Sequence, residues 1–137
     1  MIRLPGVQSC VAMKDLLSKF IGHKYHIINA AGQGAGVVTN SRALIQLINN
    51  NKKTITHTCG RFETGITVPQ WGSVFMLHGG ESPESYFQTV YRACSRNDAI
   101  GKTEFNVFDF DPHRALELAY SSSRIMKQDG ESLEDAV

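Results

Sequence analysis

The stretch TITHTCGRFETGITVPQWGSVFMLHGGESPESYFQTVYRACSR, Thr54 to Arg96, decides the fold of this 137-residue chain. Lys53 to Thr58 alternates as a strand, and Ser73 to Leu77 is a continuous apolar run typical of a strand buried on both faces. Ser82-Pro83-Glu84 predicts a helix start, because serine is a favoured N-cap, proline suits the first turn and an acid suits the positive helix end. A strand, a glycine- and threonine-rich loop, a second strand and a helix therefore follow one another.

The helix predicted from Ser82 carries polar residues on one face. Gln88, Arg92 and Arg96 are each four residues apart, so all three are expected to project from the same side. The opposite side is an apolar stripe formed by Phe87, Val90, Tyr91 and Cys94. Arginines on an outer helix face can hold phosphate, because the planar guanidinium stays charged and binds oxygens in pairs. The plainer alternative is that Arg92 and Arg96 are solvated surface charges.

The rest of the chain continues the alternation of strands and helices. Further strands are predicted at 1–4, 25–29 and 105–110, the last of them buried, and further helices at 8–20, 41–50 and 111–126. Connections of this length predict an α/β fold with a mostly parallel sheet and helices on both faces. Without repeat or linker, the chain reads as one domain, 1–127, and an acidic tail, 128–137, that we expect to be frayed.

Composition sets bounds on function. Fourteen Lys and Arg against thirteen Asp and Glu give a net charge of +1, so phosphate binding has to come from local placement of charge. Three widely spaced cysteines without a CxxC pair predict reduced thiols in the cytoplasm and no zinc site. The five histidines show no metal-binding spacing, and no apolar run approaches the ~20 residues of a membrane span.

Two motifs within the central stretch resemble those of a known family. The loop CGRFETGITVP, 59–69, resembles motif V of superfamily-two helicases, and YFQTVYRACSR, 86–96, resembles their motif VI. The resemblance continues into KTEFNVFDFDPHRAL, 102–116, which is similar to the closing strand and helix of helicase domains in phage and restriction systems. It covers about 1–120 and implies the second RecA-like domain, the helicase C-terminal domain, of an ATP-driven nucleic-acid motor.

The resemblance to motif VI implies catalytic roles for three residues. Arg92 falls on the first arginine of the motif, which contacts the γ-phosphate held by a partner domain and stabilises charge as an arginine finger does. The second arginine of the motif falls on Ser95, and Arg96 comes one residue late. Gln88 is expected to position water or to relay domain closure.

The resemblance to motif V implies binding roles in the loop. With Gly65 and Pro69 aligned on the family's glycine and proline, Thr67 occupies the place where many relatives have an aspartate near the nucleotide. Thr64, Gly65 and Thr67 are then expected to offer backbone N–H groups and hydroxyls to a phosphate or ribose. The plain alternative is a tight turn joining two strands.

The start of the same loop is assigned by the resemblance to the nucleic acid. Cys59 lies where a threonine is usual, and Thr58 is one residue early and can serve instead. Thr58, Cys59 and Arg61 are therefore the expected nucleic-acid residues. Arg61 and Glu63 can equally be solvent-facing residues.

The resemblance also implies a cofactor and partners. The family binds ATP with Mg²⁺, held mainly by a first RecA-like domain that is present in cis or in trans, and acts on DNA or RNA. This chain has neither a P-loop nor a DExx segment, so we expect it to be inactive alone as an ATPase. The opening strand, Met1 to Leu4, is short, which suggests a segment cut close to its beginning.

Two glycine-containing segments imitate nucleotide sites. Gly32, Gly34 and Gly36 follow a strand but do not form GxGxxG, so a mobile loop is the interpretation there. The sequence Gly101-Lys102-Thr103 ends like a P-loop, but it leads into a strand rather than a helix and is rejected as a nucleotide site.

Two further functions stay open. A stand-alone α/β module could use the arginine face to bind an anionic ligand or a partner helicase. Asp109 and Asp111 resemble the DxD start of haloacid-dehalogenase-like phosphotransferases, in which one aspartate is a nucleophile and the other an acid/base. Few residues follow to supply the required lysine and further acids, so Asp111 is better explained as the N-cap of the last helix.

Overall fold

The computed structural model describes residues 1–63, 65–78 and 82–128. Five strands, all paired in parallel, form one sheet in the order β2-β3-β1-β4-β5. The strands are β1 (Ile2–Arg3), β2 (His26–Asn29), β3 (Thr54–Thr58), β4 (Ser73–Met76) and β5 (Asn106–Asp109). The helices are α1 (Val7–Ile21), α2 (Ser41–Asn50), α3 (Pro83–Val90) and α4 (Pro112–Gln128), with 3₁₀ turns at Tyr91–Ala93 and Asp98–Ile100. The predicted α/β class is confirmed, and the arrangement is consistent with a RecA-like domain.

Both faces of the sheet carry helices. On one face Ile28, Val74 and Met76 are buried in a core that includes Leu44 and Ile48 of α2 and the buried side of α3. On the other face α1 packs over the sheet, with Cys10 fully buried against Leu4 and Ala31. Side chains of successive strand residues point to opposite faces, which is why alternate positions enter different clusters.

The helix starts follow the capping rules closely. Ser82 caps α3 as predicted, its hydroxyl accepting a hydrogen bond from the Ser85 N–H at 3.3 Å. In α2 the cap is Asn40 rather than the adjacent Ser41, and its side chain accepts from the Ala43 N–H at 2.9 Å. Asparagine and serine are equally good caps, so the sequence alone does not separate adjacent candidates.

The prediction of one helix from Ser82 to Arg96 is wrong. α3 ends at Val90, and the chain tightens into a 3₁₀ turn, after which Arg96 no longer shares a helix face with Gln88. Lys102 stabilises the turn that follows, because its Nζ donates to the carbonyls of Ala93 at 2.5 Å, Ser95 at 2.7 Å and Pro69 at 3.0 Å. Carbonyls at a helix end need such partners. The apolar stripe is also interrupted, since Tyr91 is 62% exposed.

The prediction that 105–110 is a buried strand is wrong as well. β5 lies at the edge of the sheet, and Phe108 and Phe110 are exposed. Phe108 stacks on Phe75 of β4 with ring centroids 4.6 Å apart, so the apolar run forms an aromatic layer on the sheet surface instead of a core strand.

The boundary of the predicted tail moves by one residue. α4 runs to Gln128, inside the segment predicted as tail, and 129–137 lie outside the described residues. Thr64, predicted as a nucleotide ligand, also lies outside them. None of the described helices combines the length and apolar character needed to cross a membrane.

Candidate functional site

The loop that follows β3 lies at the carboxyl edge of the sheet. β1, β3 and β4 are neighbours in a parallel sheet, so their ends meet at one edge, which is where ligands bind in open α/β folds. Three loop residues have positive φ: Gly60 at 143°, Phe62 at 66° and Gly65 at 73°. Glycine adopts such angles at no steric cost, whereas Phe62 does not, and burial of its side chain holds it there. The loop therefore has a defined backbone conformation.

Arg92 binds this loop from the turn after α3. Its Nε donates to the backbone carbonyl of Glu63 at 3.1 Å, and its Nη1 donates to that of Ile66 at 2.8 Å. The segment resembling motif VI is thereby joined to the segment resembling motif V. Hydrogen bonds from a charged donor are stronger than neutral ones, so one half-buried guanidinium fixes the middle of the loop.

The residues at the start of the loop also hold it in place. Thr58 is fully buried, and its hydroxyl donates to the Arg61 carbonyl at 2.5 Å and accepts from the Gly60 N–H at 3.4 Å. Arg61 reaches the glycine-rich segment, where its Nη1 donates to the Ala30 and Val38 carbonyls at 3.3 and 3.4 Å. The two ends of that glycine-rich segment are thus connected to the loop.

A buried ion pair that was not predicted from the sequence lies under the loop. Nε of Arg3 lies 2.9 Å from Oε2 of Glu63, and the two side chains are only 10% and 8% exposed. Nη1 of Arg3 also donates to the His78 carbonyl at 2.9 Å. Within the described part of the chain, neither Nε of Arg3 nor Oε1 of Glu63 has a hydrogen-bond partner of good geometry, so the pair is a contact of charges. An arginine in a short apolar strand was the available signal, because a buried charge has to be paired.

The other predicted site residues are placed differently. Gln88 donates to the side chain of Glu84 at 3.0 Å, and Arg96 pairs with Asp98 at 2.5 Å where both side chains are more than 70% exposed. Gly65 and Thr67 are exposed on the loop, and Cys59 is half-buried next to the cluster around Cys10. Of the three predicted catalytic residues, only Arg92 is bound to the loop.

The two aspartates after β5 are occupied within the protein. Arg114 binds Asp109 through two contacts, Nη2 to Oδ1 at 2.5 Å and Nε to Oδ2 at 2.9 Å. Burial disfavours the charged carboxylate, but hydrogen bonds from Arg114 and from the Asp111 backbone outweigh it and lower the pKa of Asp109. Asp111 accepts from the His113 N–H at 3.0 Å and so caps α4, as predicted. This geometry favours a structural role over a phosphotransferase nucleophile.

Two buried groups lie under α1 near the same edge. His57 is fully buried, and neither ring nitrogen has a partner among the described residues. Burial, with a smaller contribution from Lys14, lowers the pKa of His57 to about 4. Burial, with contributions from Cys59 and Glu63, raises the pKa of the Cys10 thiol to about 12. Within the described ranges, no group of three or more His, Cys, Asp or Glu residues is arranged to hold a metal ion.

Comparison with known proteins relates nearly the whole chain to part of a longer protein. The chain is 32% identical over 139 residues to a Mycoplasma pneumoniae protein that carries the name of a type II restriction enzyme and methyltransferase C-terminus. The match covers 92% of this chain but 19% of that protein. No protein-family model and no solved structure matches the chain. The similarity thus extends well beyond the two short motifs.

Proposed function

We propose that this chain is the second motor domain of an ATP-dependent DNA helicase or translocase of a restriction system. The observation that carries the proposal is the bridge from Arg92 to the loop carbonyls at the carboxyl edge of a parallel sheet. That bridge joins the two segments that resemble motifs V and VI, and these are the parts that such a domain brings to a nucleotide bound on its partner.

Arg92 is better suited than Arg96 to act as the arginine finger. Donors that stabilise a developing charge work best when they are held in position beforehand. Arg92 is held by two hydrogen bonds within the loop, and the guanidinium retains further N–H groups for a phosphate. Arg96 is held only by an exposed ion pair with Asp98, a contact that contributes little.

The loop offers the rest of the nucleotide contact. Gly65 and Thr67 are exposed at the carboxyl edge, so a backbone N–H and a hydroxyl are accessible to an anionic ligand. The exposed N–H and hydroxyl, with the charged guanidinium beside them, fit an ATP phosphate presented from outside. ATP with Mg²⁺, held mainly by the first domain, supplies the phosphoryl group to be transferred. This chain supplies positive charge and orientation.

The same loop would connect the nucleotide to the nucleic acid. The Thr58 hydroxyl is used inside the loop, so contacts of Thr58 and Cys59 with a DNA strand would come from backbone groups. Arg61 connects the start of this loop to the glycine-rich segment, and Arg3 pairs with Glu63 in its middle. A change at Arg92 would therefore be transmitted to the DNA-facing part of the loop. DNA is preferred to RNA because the similar Mycoplasma protein is named after a restriction enzyme and methyltransferase.

The experiment starts from the native polypeptide that carries this segment. It is captured from cells with an antibody raised against the chain, sized, and assayed for ATP hydrolysis with and without duplex DNA. We expect a polypeptide or complex that contains a P-loop domain and hydrolyses ATP faster with DNA, whereas the isolated 137-residue chain does not. A native product of this length without an ATPase partner would contradict the proposal.

A further inference from the structure

A basic groove lies at the amino edge of the sheet, away from the loop just described. It is formed where α1 ends, where β2 begins and where the chain enters β3 after α2, and its volume is about 560 Å³. We call it the basic groove, after five basic residues that line it: His23, Lys24, His26, Lys52 and Lys53. All five are exposed, and none forms an ion pair with an acidic residue in the described part of the chain.

The groove belongs to a stretch of about a third of the chain that is free of acidic residues. Residues 16–62 contain four lysines, two arginines and no aspartate or glutamate. The remainder holds eight basic and all thirteen acidic residues. The net charge of +1 therefore conceals a strong separation, with positive charge on the side of the β2 edge. Such a local field attracts phosphate even when the whole molecule is nearly neutral.

Helix dipoles account for part of this charge. The carboxyl ends of α1 and α2 carry partial negative charge, which nearby basic residues stabilise. His23 and Lys24 follow the C-cap Gly22 of α1, and Lys52 and Lys53 follow the C-cap Asn51 of α2. Five basic residues at two helix ends exceed the partial charge of about one half at each end, so a net positive charge remains.

Aromatic groups beside the lysines favour nucleic acid over other anions. Tyr25 lines the groove, and Phe20 is 62% exposed with Nζ of Lys19 at 5.7 Å from its ring centroid. Lysines placed along a groove with aromatic rings beside them are the combination found in surfaces that bind single-stranded nucleic acid, whose unpaired bases stack on the rings.

We propose that the basic groove binds the phosphate backbone of DNA without reading its sequence. It is a second contact, separated from the Arg92 loop by the length of the strands, roughly 15 Å. The identity of the ligand as DNA rests on the proposed function, whereas the binding of a phosphate backbone rests on the groove itself. DNA held there would reach a different edge of the domain from the one that faces the nucleotide.

The test measures the salt dependence of duplex binding by the 137-residue chain. Binding of a fluorescent 20-base-pair duplex, and of one of its strands alone, is titrated between about 50 and 200 mM salt for the wild type and for Lys52→Gln/Lys53→Gln. Each phosphate contact contributes a slope of roughly −0.9 in log affinity against log salt, so the double variant should lose about two units of slope. The matched control is Arg124→Gln, an exposed charge on α4, which follows the opposite edge strand.

Each outcome decides the matter. An unchanged slope in the lysine variant, an equal loss in Arg124→Gln, or no binding by the wild type would overturn the proposal. If the lysines instead serve an acidic protein surface or a helix end, the lysine variant keeps the wild-type DNA slope. If they stabilise a helix end, the lysine variant also has a lower melting temperature. Loss of ATP hydrolysis in the native polypeptide on Arg92→Ala tests the motor proposal separately, so either proposal can fail while the other holds.

Discussion

Arg92 is the residue on which the loop depends most directly. Its two hydrogen bonds to the Glu63 and Ile66 carbonyls are charge-assisted and half-buried. Arg92→Ala should lower the free energy of unfolding by about 2 kcal/mol, since hydrogen bonds to charged groups contribute about 1.5–3 kcal/mol. Urea denaturation measures this change. Arg96→Ala, which removes an exposed ion pair, is the control and should cost under about 1 kcal/mol. Equal effects would mean that the loop contact is weak.

His57 makes stability depend on pH. The unfolded chain takes up this proton near the usual value of 6.5, whereas burial lowers the pKa in the folded state to about 4. Between those values the unfolded state binds more protons, so acid destabilises the fold. From about pH 6.5 to about pH 5 the free energy of unfolding should fall by roughly 2 kcal/mol.

The variant His57→Leu isolates this contribution. It removes two buried nitrogens without partners among the described residues, so it should abolish this part of the pH dependence at little cost near pH 7. Chemical denaturation over the pH range measures it, with His113→Leu, at an exposed position, as the control. A wild-type pH profile in His57→Leu would show that another group is responsible.

Sequence spacing identified Arg92 but not its neighbours in space. The four-residue interval to Gln88 and Arg96 predicted a common face, which requires a continuous helix. Lys102 binds the Ala93 and Ser95 carbonyls, and α3 ends before that face is complete. Such a contact joins distant parts of the chain and leaves no periodic signal.

At the scale of the elements, the loop 59–69 owes its shape to backbone angles that few residues adopt. Gly65 has φ of 73° with open space around it, so an added Cβ meets no atom but strains the backbone. Gly65→Ala should therefore destabilise the fold by about 1 kcal/mol, measured as a lower midpoint in thermal unfolding. Gly72→Ala, also in open space but without a positive φ, is the matched control and should be neutral. Equal midpoints would contradict the strained conformation.

Local signals predicted the elements better than their surroundings. The α3 start followed from the Ser82 cap and Pro83, and the bounds of α2 agree with the predicted helix at 41–50. The apolar run around Phe108 predicted a strand correctly but not its edge position. Burial depends on which strands are neighbours, and this information is absent from a local pattern.

For the whole molecule, the alternation of strands and helices along the sequence predicted the α/β class but not the order of the strands in the sheet. The order places β1 between β3 and β4, so Arg3 lies between the loop that contains Glu63 and the segment that contains His78. No pairwise spacing in the sequence connects residues sixty or more positions apart. The buried ion pair beneath the candidate site is therefore a consequence of topology.

Charge is likewise organised at the level of the whole molecule. The loop bound by Arg92 and the basic groove occupy opposite edges of one sheet. In the proposed motor, one edge faces the nucleotide held by a first domain and the other contacts the DNA backbone. The near-zero net charge hides this arrangement, which appears only when the acid-free stretch 16–62 is mapped onto the fold.

The central claim is that Arg92 acts on ATP bound by another domain. The most direct measurement is the rate of DNA-stimulated ATP hydrolysis by the native polypeptide with Arg92→Ala and Arg92→Lys, with thermal unfolding recorded for both. We predict a loss of about 10³-fold or more in both variants, because the compact ammonium of lysine lacks the planar guanidinium fork that can bind the loop carbonyls on one side and a phosphate on the other. A folded Arg92→Ala protein that hydrolyses ATP within about ten-fold of the wild-type rate would contradict the claim.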